Sequence, residues 1–346
     1  MKNEMKPAWQ PPAAWQRVTS IEAHTAGEPL RVLLAGVPPI PGDSILAKRR
    51  YAQQHLDELR TALMWEPRGH ADMYGCILTE PVTADGDLGV LFLHNAGFST
   101  MCGHGIIALV KVGLEMGLIE KPGSDPEIRL DTPAGRVTAV ACREGAQITA
   151  VSFRNVPSFV YALDQIVEVA GIGPVRCDIA FGGAFYAFCD AADLNVALTP
   201  DAFRGLIDVG MRVKQAVMAQ IPIEHPTEPD LGFLYGTIMV DAAHDPRHHS
   251  RNVCVFADGE VDRCPTGTGV SARAALHYAR GELEAGEVFT VESILGTTFS
   301  GRVLEEVAFG PYPAVVPEVT GTAHITGRSE WLIDPADPLR GGFLLR

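Results

Sequence analysis

The chain has 346 residues, room for two domains of ordinary size, and its 47% apolar content is enough for real cores. A formal net charge of −14 argues against nucleic acid or an anionic membrane as partner, so any anion site must be a local device. Seven cysteines without a CxxC pair read as reduced thiols, no signal-peptide core follows Met1 and no stretch has the apolar length of a membrane span, so a cytoplasmic protein is expected.

Residues 1–16, with Pro7, Pro11 and Pro12, read as a flexible leader. Residues 17–37 alternate apolar and polar positions around His24-Thr-Ala-Gly27 and predict strands and a turn. A helix is expected over 46–64, then short strands over 73–78 and 89–93. At Cys102-Gly-His-Gly105 a second helix begins and runs to a stop near Gly117; it is apolar on nearly every side over 109–118, as a buried central helix would be. Residues 128–160 read as strands with turns at Pro133-Ala-Gly135 and Gly145. A second unit opens near 174–187 and carries a helical run over 203–218. Its polar insert, 241–250, holds His244, His248 and His249, but no accompanying carboxylate or thiol spacing, so it reads as a solvated loop. No metal site is expected. The tail, with strand-like His324-Ile-Thr326 and Gly342-Phe-Leu-Leu345, is expected to return to the first unit.

A glycine pair at a helix start is by itself only a turn signal. Here it occurs twice. Placing Thr266 on Cys102 pairs Gly103 with Gly267, Gly105 with Gly269, Ala108 with Ala272 and Gly117 with Gly281. Upstream, Tyr74-Gly-Cys-Ile-Leu78 resembles Tyr235-Gly-Thr-Ile-Met239, and each follows a helical run. Two related α/β units, 17–165 and 166–325, with 326–346 as a returning tail, would bring both helix N-termini to one cleft.

Such helix starts present unpaired N–H groups and a positive dipole end, a natural seat for a carboxylate. The N–H groups of Gly103, His104, Gly267 and Thr268 are the candidate donors. Cys102 sits where helix N-termini lower thiol pKa values, and so is the candidate base for an amino acid's α-proton. Asp262 would accept from the ligand's nitrogen; its repeat counterpart is Phe98, an asymmetry that would orient the ligand. Inversion needs a second acid–base opposite Cys102, and Thr266 stands there, with a hydroxyl that titrates far above neutral pH. What remains is one-base chemistry: α-proton removal followed by loss of a β-substituent.

Met101-Cys-Gly-His-Gly105 and Asp262-Arg-Cys-Pro-Thr-Gly-Thr-Gly269 resemble the two active-site motifs of the proline racemase superfamily, supported by His24-Thr-Ala-Gly-Glu-Pro29, Glu66-Pro-Arg-Gly-His-Ala-Asp-Met73 and Ser250-Arg-Asn-Val253. The resemblance implies an α+β fold of the diaminopimelate-epimerase type, two pseudo-symmetric units each wrapping strands around a central helix. In that superfamily racemases and 4-hydroxyproline epimerases carry Cys in both motifs; Cys first and Thr second resembles the branch that dehydrates trans-3-hydroxy-L-proline without a cofactor. It implies Cys102 as proton acceptor with Thr266 opposite, and Gly103, His104, Asp262, Gly267 and Thr268 as substrate contacts. Family members are often homodimers, which is the state implied by analogy. One departure is Cys264, where the family usually has Ser. Used as a displaced second base, it would make the chain a proline or 4-hydroxyproline racemase or epimerase; a non-catalytic binder of proline-like amino acids is the alternative of another class.

Overall fold

A computed structural model describes residues 9–345, so residues 1–8 of the expected leader lie outside the described residues. Five α-helices occur among the described residues: α1 (Ile45–His55), α2 (Asp57–Met64), α3 (Gly103–Glu115), α4 (Phe203–Gln220) and α5 (Gly267–Ala279). Eighteen strands among the described residues form one hydrogen-bonded network. The strand Glu28–Ala35 lies parallel to Tyr74–Thr79, which is antiparallel to Leu88–His94, which is parallel to Glu127–Thr132. Phe185–Asp190, Leu234–Asp241, Ser250–Phe256 and Val288–Glu292 repeat those three steps in the same order. The sequence repeat is therefore a repeat of topology, and the α+β architecture is the one expected.

Two strands stitch the halves together. Ala323–Ile333 returns to pair antiparallel with Gln16–Thr25, and Tyr312–Gly321 pairs with both Gln147–Arg154 and Ser158–Val169. Residues 165 and 166 lie within Ser158–Val169.

Each half is built around one helix. α3 buries Gly103 through Val110, and Val112 and Gly113; α5 buries Gly267 through Leu276. Both helices have 13 residues, and both stop at a glycine in the left-handed region, Gly117 at φ +70° and Gly281 at φ +69°. α3 and α5 share a single apolar core in which Ile106, Ile107, Phe153, Val270 and Phe299 are essentially sealed from solvent. Each such side chain contributes about 1.5–3 kcal/mol by its burial, so the two halves are held at the centre and not only by their edges.

The single helix expected over 46–64 is two helices. Leu56 leaves the helical region (φ −120°, ψ 11°), and Asp57 and Glu58 open the first turn of α2, where carboxylates complement the dipole. Both helices face one core apart from the central one, in which Ile45 and Ala52 of α1 join Leu59, Leu63 and Met64 of α2 against Ile77, Leu91 and Leu93. The apolar spacing runs on through a one-residue break, so periodicity does not register it. The strand expected at 342–345 reduces to one bridge, Glu66 to Phe343.

His225 stands among Phe159, Phe181, Phe185 and Phe309. Its Nδ1 accepts from the Glu228 N–H at 3.1 Å, while Nε2 is buried with no hydrogen-bond partner among the described residues. Burial holds its pKa down at about 4. The unfolded chain, at about 6.5, binds this proton and the folded one does not, so folding loses stability as pH falls through that window. In urea titrations the His225→Phe variant should gain on the wild type as pH falls from 6.5 to 4, by at most about 1.4 kcal/mol per pH unit. A pH-independent difference would refute this.

Candidate active site

The two central helices meet tip to tip. A Cβ built on Gly103 would fall 2.6 Å from the Gly267 Cα, and one on Gly267 would fall 2.8 Å from the Gly103 Cα. Only glycine at both positions permits this approach. The unpaired N–H groups of two helix starts are thereby gathered at one point. Cys102 and Thr266, the residues just before each helix, flank that point.

Cys102 is the N-cap of α3, its Sγ accepting the Gly105 N–H at 3.3 Å. Thr266 caps α5 differently. It sits at φ +64°, in a region a β-branched residue rarely enters, and gives no side-chain cap. Its Oγ1 lies near Asp262 and Cys254 yet makes no well-aligned hydrogen bond with any described residue. Strain of this kind, roughly 1–3 kcal/mol, persists where surrounding structure imposes it, and commonly at functional sites.

All seven residues singled out in the sequence, Cys102, Gly103, His104, Asp262, Thr266, Gly267 and Thr268, line one cavity between the halves. Its free volume is about 20 Å³, room for roughly one water. Contacts across the cleft close it, among them Thr297 Oγ1 to the Ala26 carbonyl at 2.8 Å and His94 Nδ1 to Glu260 Oε1 at 2.9 Å. A proline-sized ligand requires the halves to part.

The electrostatics depart from the sequence expectation in one respect. Burial pushes the Cys102 thiol well above its ordinary pKa; the Gly105 N–H and the Tyr74 hydroxyl pull it down, and the Asp262 and Glu28 carboxylates push it up again. The helix start favours the thiolate, but in the closed cleft desolvation and two carboxylates outweigh it. Asp262 is itself raised, by burial first, while accepting the Cys264 N–H at 2.8 Å. Glu28 is fully buried and raised by burial and by Asp262; its Oε2 accepts the Arg263 N–H at 2.8 Å. The His104 ring is held near 3 by burial, with Arg263 adding to the effect, and is neutral, its Nδ1 3.2 Å from Cys102 Sγ.

Cys264 is not on the cavity wall. It is completely buried, and its Sγ accepts the Thr266 N–H at 3.3 Å. His104, Asp262 and Cys264 carry donor atoms within 4.8 Å of one another, and each is already engaged in the contacts just described. The histidine-bearing insert is the solvated loop expected, with His244 and His249 exposed; it is tied down at its base, where Glu292 accepts from the N–H groups of His244 and Asp245 and pairs with His248, and His249 packs on His277 and Phe289.

Three tyrosines escaped the sequence reading. Tyr74, Tyr186 and Tyr235 line the cavity, Tyr186 bonding Thr268 Oγ1 at 2.7 Å and Tyr74 meeting Tyr235 hydroxyl to hydroxyl at 3.3 Å. The signal for two of them was present, because the repeat places Tyr74-Gly on Tyr235-Gly. Nothing in the spacing said that these rings point inward.

The family model described as "Proline racemase" matches residues 20–344, and so includes both helix tips and both strand repeats. The chain belongs to the proline racemase family. A trans-3-hydroxy-L-proline dehydratase of Colwellia psychrerythraea is 49% identical over 98% of this chain and 96% of that protein. A relative from Burkholderia multivorans named 3-hydroxyproline 2-epimerase is 46% identical over 95% and 98% respectively. Among solved structures, a hydroxyproline epimerase from Agrobacterium vitis with bound trans-4-hydroxy-L-proline superposes with a TM-score of 0.91 at 31% identity, covering 96% of each chain. Family members thus share this fold while their names divide between elimination and epimerisation. Among the described residues no helix is long and apolar enough to cross a membrane.

Proposed function

We propose that the chain is a cofactor-independent hydro-lyase that dehydrates trans-3-hydroxy-L-proline to Δ1-pyrroline-2-carboxylate. The observation that carries this reading is the unequal pair of helix tips: a thiol, Cys102, and a hydroxyl, Thr266, flank one cavity, and only the thiol can take a proton near neutral pH. The substrate carboxylate sits on the N–H groups of Gly103, His104, Gly267 and Thr268, which also hold the charge that develops when the α-proton leaves. Its ammonium faces Asp262. Burial first, and then the Asp262 and Glu28 carboxylates, hold the Cys102 thiol protonated; that contact neutralises one of the two carboxylates, so substrate binding itself moves the balance towards the thiolate. Cys102 takes the α-proton, the electron pair forms the C2–C3 double bond and the C3–O bond breaks. The enamine then tautomerises to the imine.

The same reading makes the enzyme cytoplasmic and without a nucleic-acid partner, supported by seven free cysteines and a net charge of −14; a homodimer is the state implied by analogy with the family alone. The epimerase alternative through Cys264 is disfavoured by that thiol's burial outside the cavity.

Proton NMR of the protein in D2O with trans-3-hydroxy-L-proline and, separately, trans-4-hydroxy-L-proline tests the proposal. The expected result is conversion of the 3-hydroxy substrate to the pyrroline with the 4-hydroxy isomer unchanged, and with Cys264→Ser, a near-isosteric change off the cavity wall, retaining the elimination. Inversion of the 4-hydroxy isomer with deuterium uptake, lost in Cys264→Ser, establishes the epimerase instead. Binding without turnover of either establishes the binder.

A further inference from the structure

The dehydration leaves one proton unassigned. A departing hydroxide needs a donor, and Thr266 lies on the wrong face to supply it. In trans-3-hydroxy-L-proline the hydroxyl is on the ring face opposite the carboxylate. The α-hydrogen is also opposite the carboxylate, on the same carbon. Proton and hydroxyl therefore leave from one face, the face that Cys102 serves, and the donor must stand beside Cys102.

Tyr74 stands there. It opens the strand Tyr74–Thr79, lines the cavity, and packs its ring edge-on against His104, the ring that touches Cys102 Sγ, with ring centroids 4.8 Å apart. Its hydroxyl pulls the pKa of the Cys102 thiol down, donates to Ser99 Oγ at 2.6 Å and lies 3.3 Å from the Tyr235 hydroxyl. Tyr186, the third phenol, is engaged by Thr268 Oγ1 at 2.7 Å on the α5 side of the cavity. Burial raises the Tyr74 phenol, which keeps it protonated until a base as strong as hydroxide forms beside it.

Resting on the dehydratase reading, we propose that Tyr74 is a catalytic acid that protonates the departing 3-hydroxyl and recovers its proton from Cys102. The protons balance. The α-proton passes to Cys102 Sγ, the C2–H pair becomes the C2–C3 double bond, and the C3–O pair takes the Tyr74 proton to leave as water. The Tyr74 phenolate then takes the Cys102 proton, and both residues return to their starting state. Tyr235 and Ser99 hold the Tyr74 hydroxyl in place; they are positioning residues.

The test is Tyr74→Phe, which keeps the ring and its packing on His104. Dehydration of trans-3-hydroxy-L-proline should fall by about 100-fold, the contribution of one positioned acid. Exchange of the substrate α-hydrogen with D2O, which needs only Cys102, should persist and become visible as the carbanion returns to substrate. Fluoride leaves with little need of a proton, so elimination from trans-3-fluoro-L-proline should fall by less than about fivefold in the same variant. Unchanged dehydration, or equal loss of dehydration, exchange and fluoride release, overturns the assignment; the second pattern marks Tyr74 as support for Cys102 alone. Should Tyr74→Phe not fold, Ser99→Ala is measured in its place, with the same split expected at smaller size. A wild-type enzyme that does not dehydrate the 3-hydroxy substrate overturns the dehydratase reading itself, and is told apart by that control.

Discussion

Cys102→Ala is expected to reduce dehydration by about 1,000-fold or more and to abolish α-deuterium uptake, because it removes the one side chain on the reacting face that can accept the proton. The variant should still bind the substrate, since the backbone donors of α3 and α5 and the Asp262 carboxylate are untouched. A structural cost comes with it. Cys102 Sγ caps the Gly105 N–H, and loss of a cap is worth about 1 kcal/mol. Cys102→Ser separates the two roles: serine is a good N-cap, so stability should return while turnover does not. The measurements are urea midpoints alongside NMR in D2O. If Cys102→Ser recovers activity together with stability, the thiol is a structural cap and the base lies elsewhere.

Gly103→Ala is expected to be nearly as damaging without touching any reactive group. The new Cβ would lie 2.6 Å from the Gly267 Cα and 2.9 Å from Phe153 Cζ, both below any real contact distance. One of these is backbone, so the helix tips must part. Forced overpacking of this kind costs about 1–3 kcal/mol, and a shift of about 1 Å in the carboxylate seat costs about 100-fold in rate. Gly267→Ala should do the same from the other side, with the Gly103 Cα 2.8 Å away. Gly205, in α4, is the control: a Cβ there meets nothing within 4 Å, and Gly205→Ala should stabilise by roughly 0.5–1 kcal/mol with activity intact. If all three variants behave alike, intrinsic helix propensity governs these sites and the tip-to-tip contact does not.

The sequence disclosed more of the site than of its surroundings, for a physical reason. Gly103, Gly105, Gly267 and Gly269 are legible because a helix start that seats an anion leaves few residue choices, and because it occurs twice. The alignment of Gly117 with Gly281 foresaw both helix ends, since a left-handed stop also restricts residue choice. The break at Leu56 was invisible because apolar spacing survives a single non-helical residue. Thr266 could be aligned, but not its φ of +64°, because nothing local asks a β-branched residue to adopt it. The thiol was misjudged on direction: proximity to a helix start is read from sequence, but desolvation depends on what closes over the site, and that cover comes from Glu28, Asp262 and three tyrosines on distant strands.

The contact between Gly103 and Gly267 bears on how such a chain changes over time. Elsewhere the halves face different neighbours and are free to diverge, as Asp262 against Phe98 and Thr266 against Cys102 show. At the helix tips each residue's neighbour is its own counterpart, so a change in one copy is obstructed by the unchanged other. The floor of the site is thus locked in its duplicated form while its rim is not. Replacing a thiol by a hydroxyl on the rim, as Thr266 stands against Cys102, removes one of two acid–base groups, and the machinery that holds the carboxylate does not have to be rebuilt.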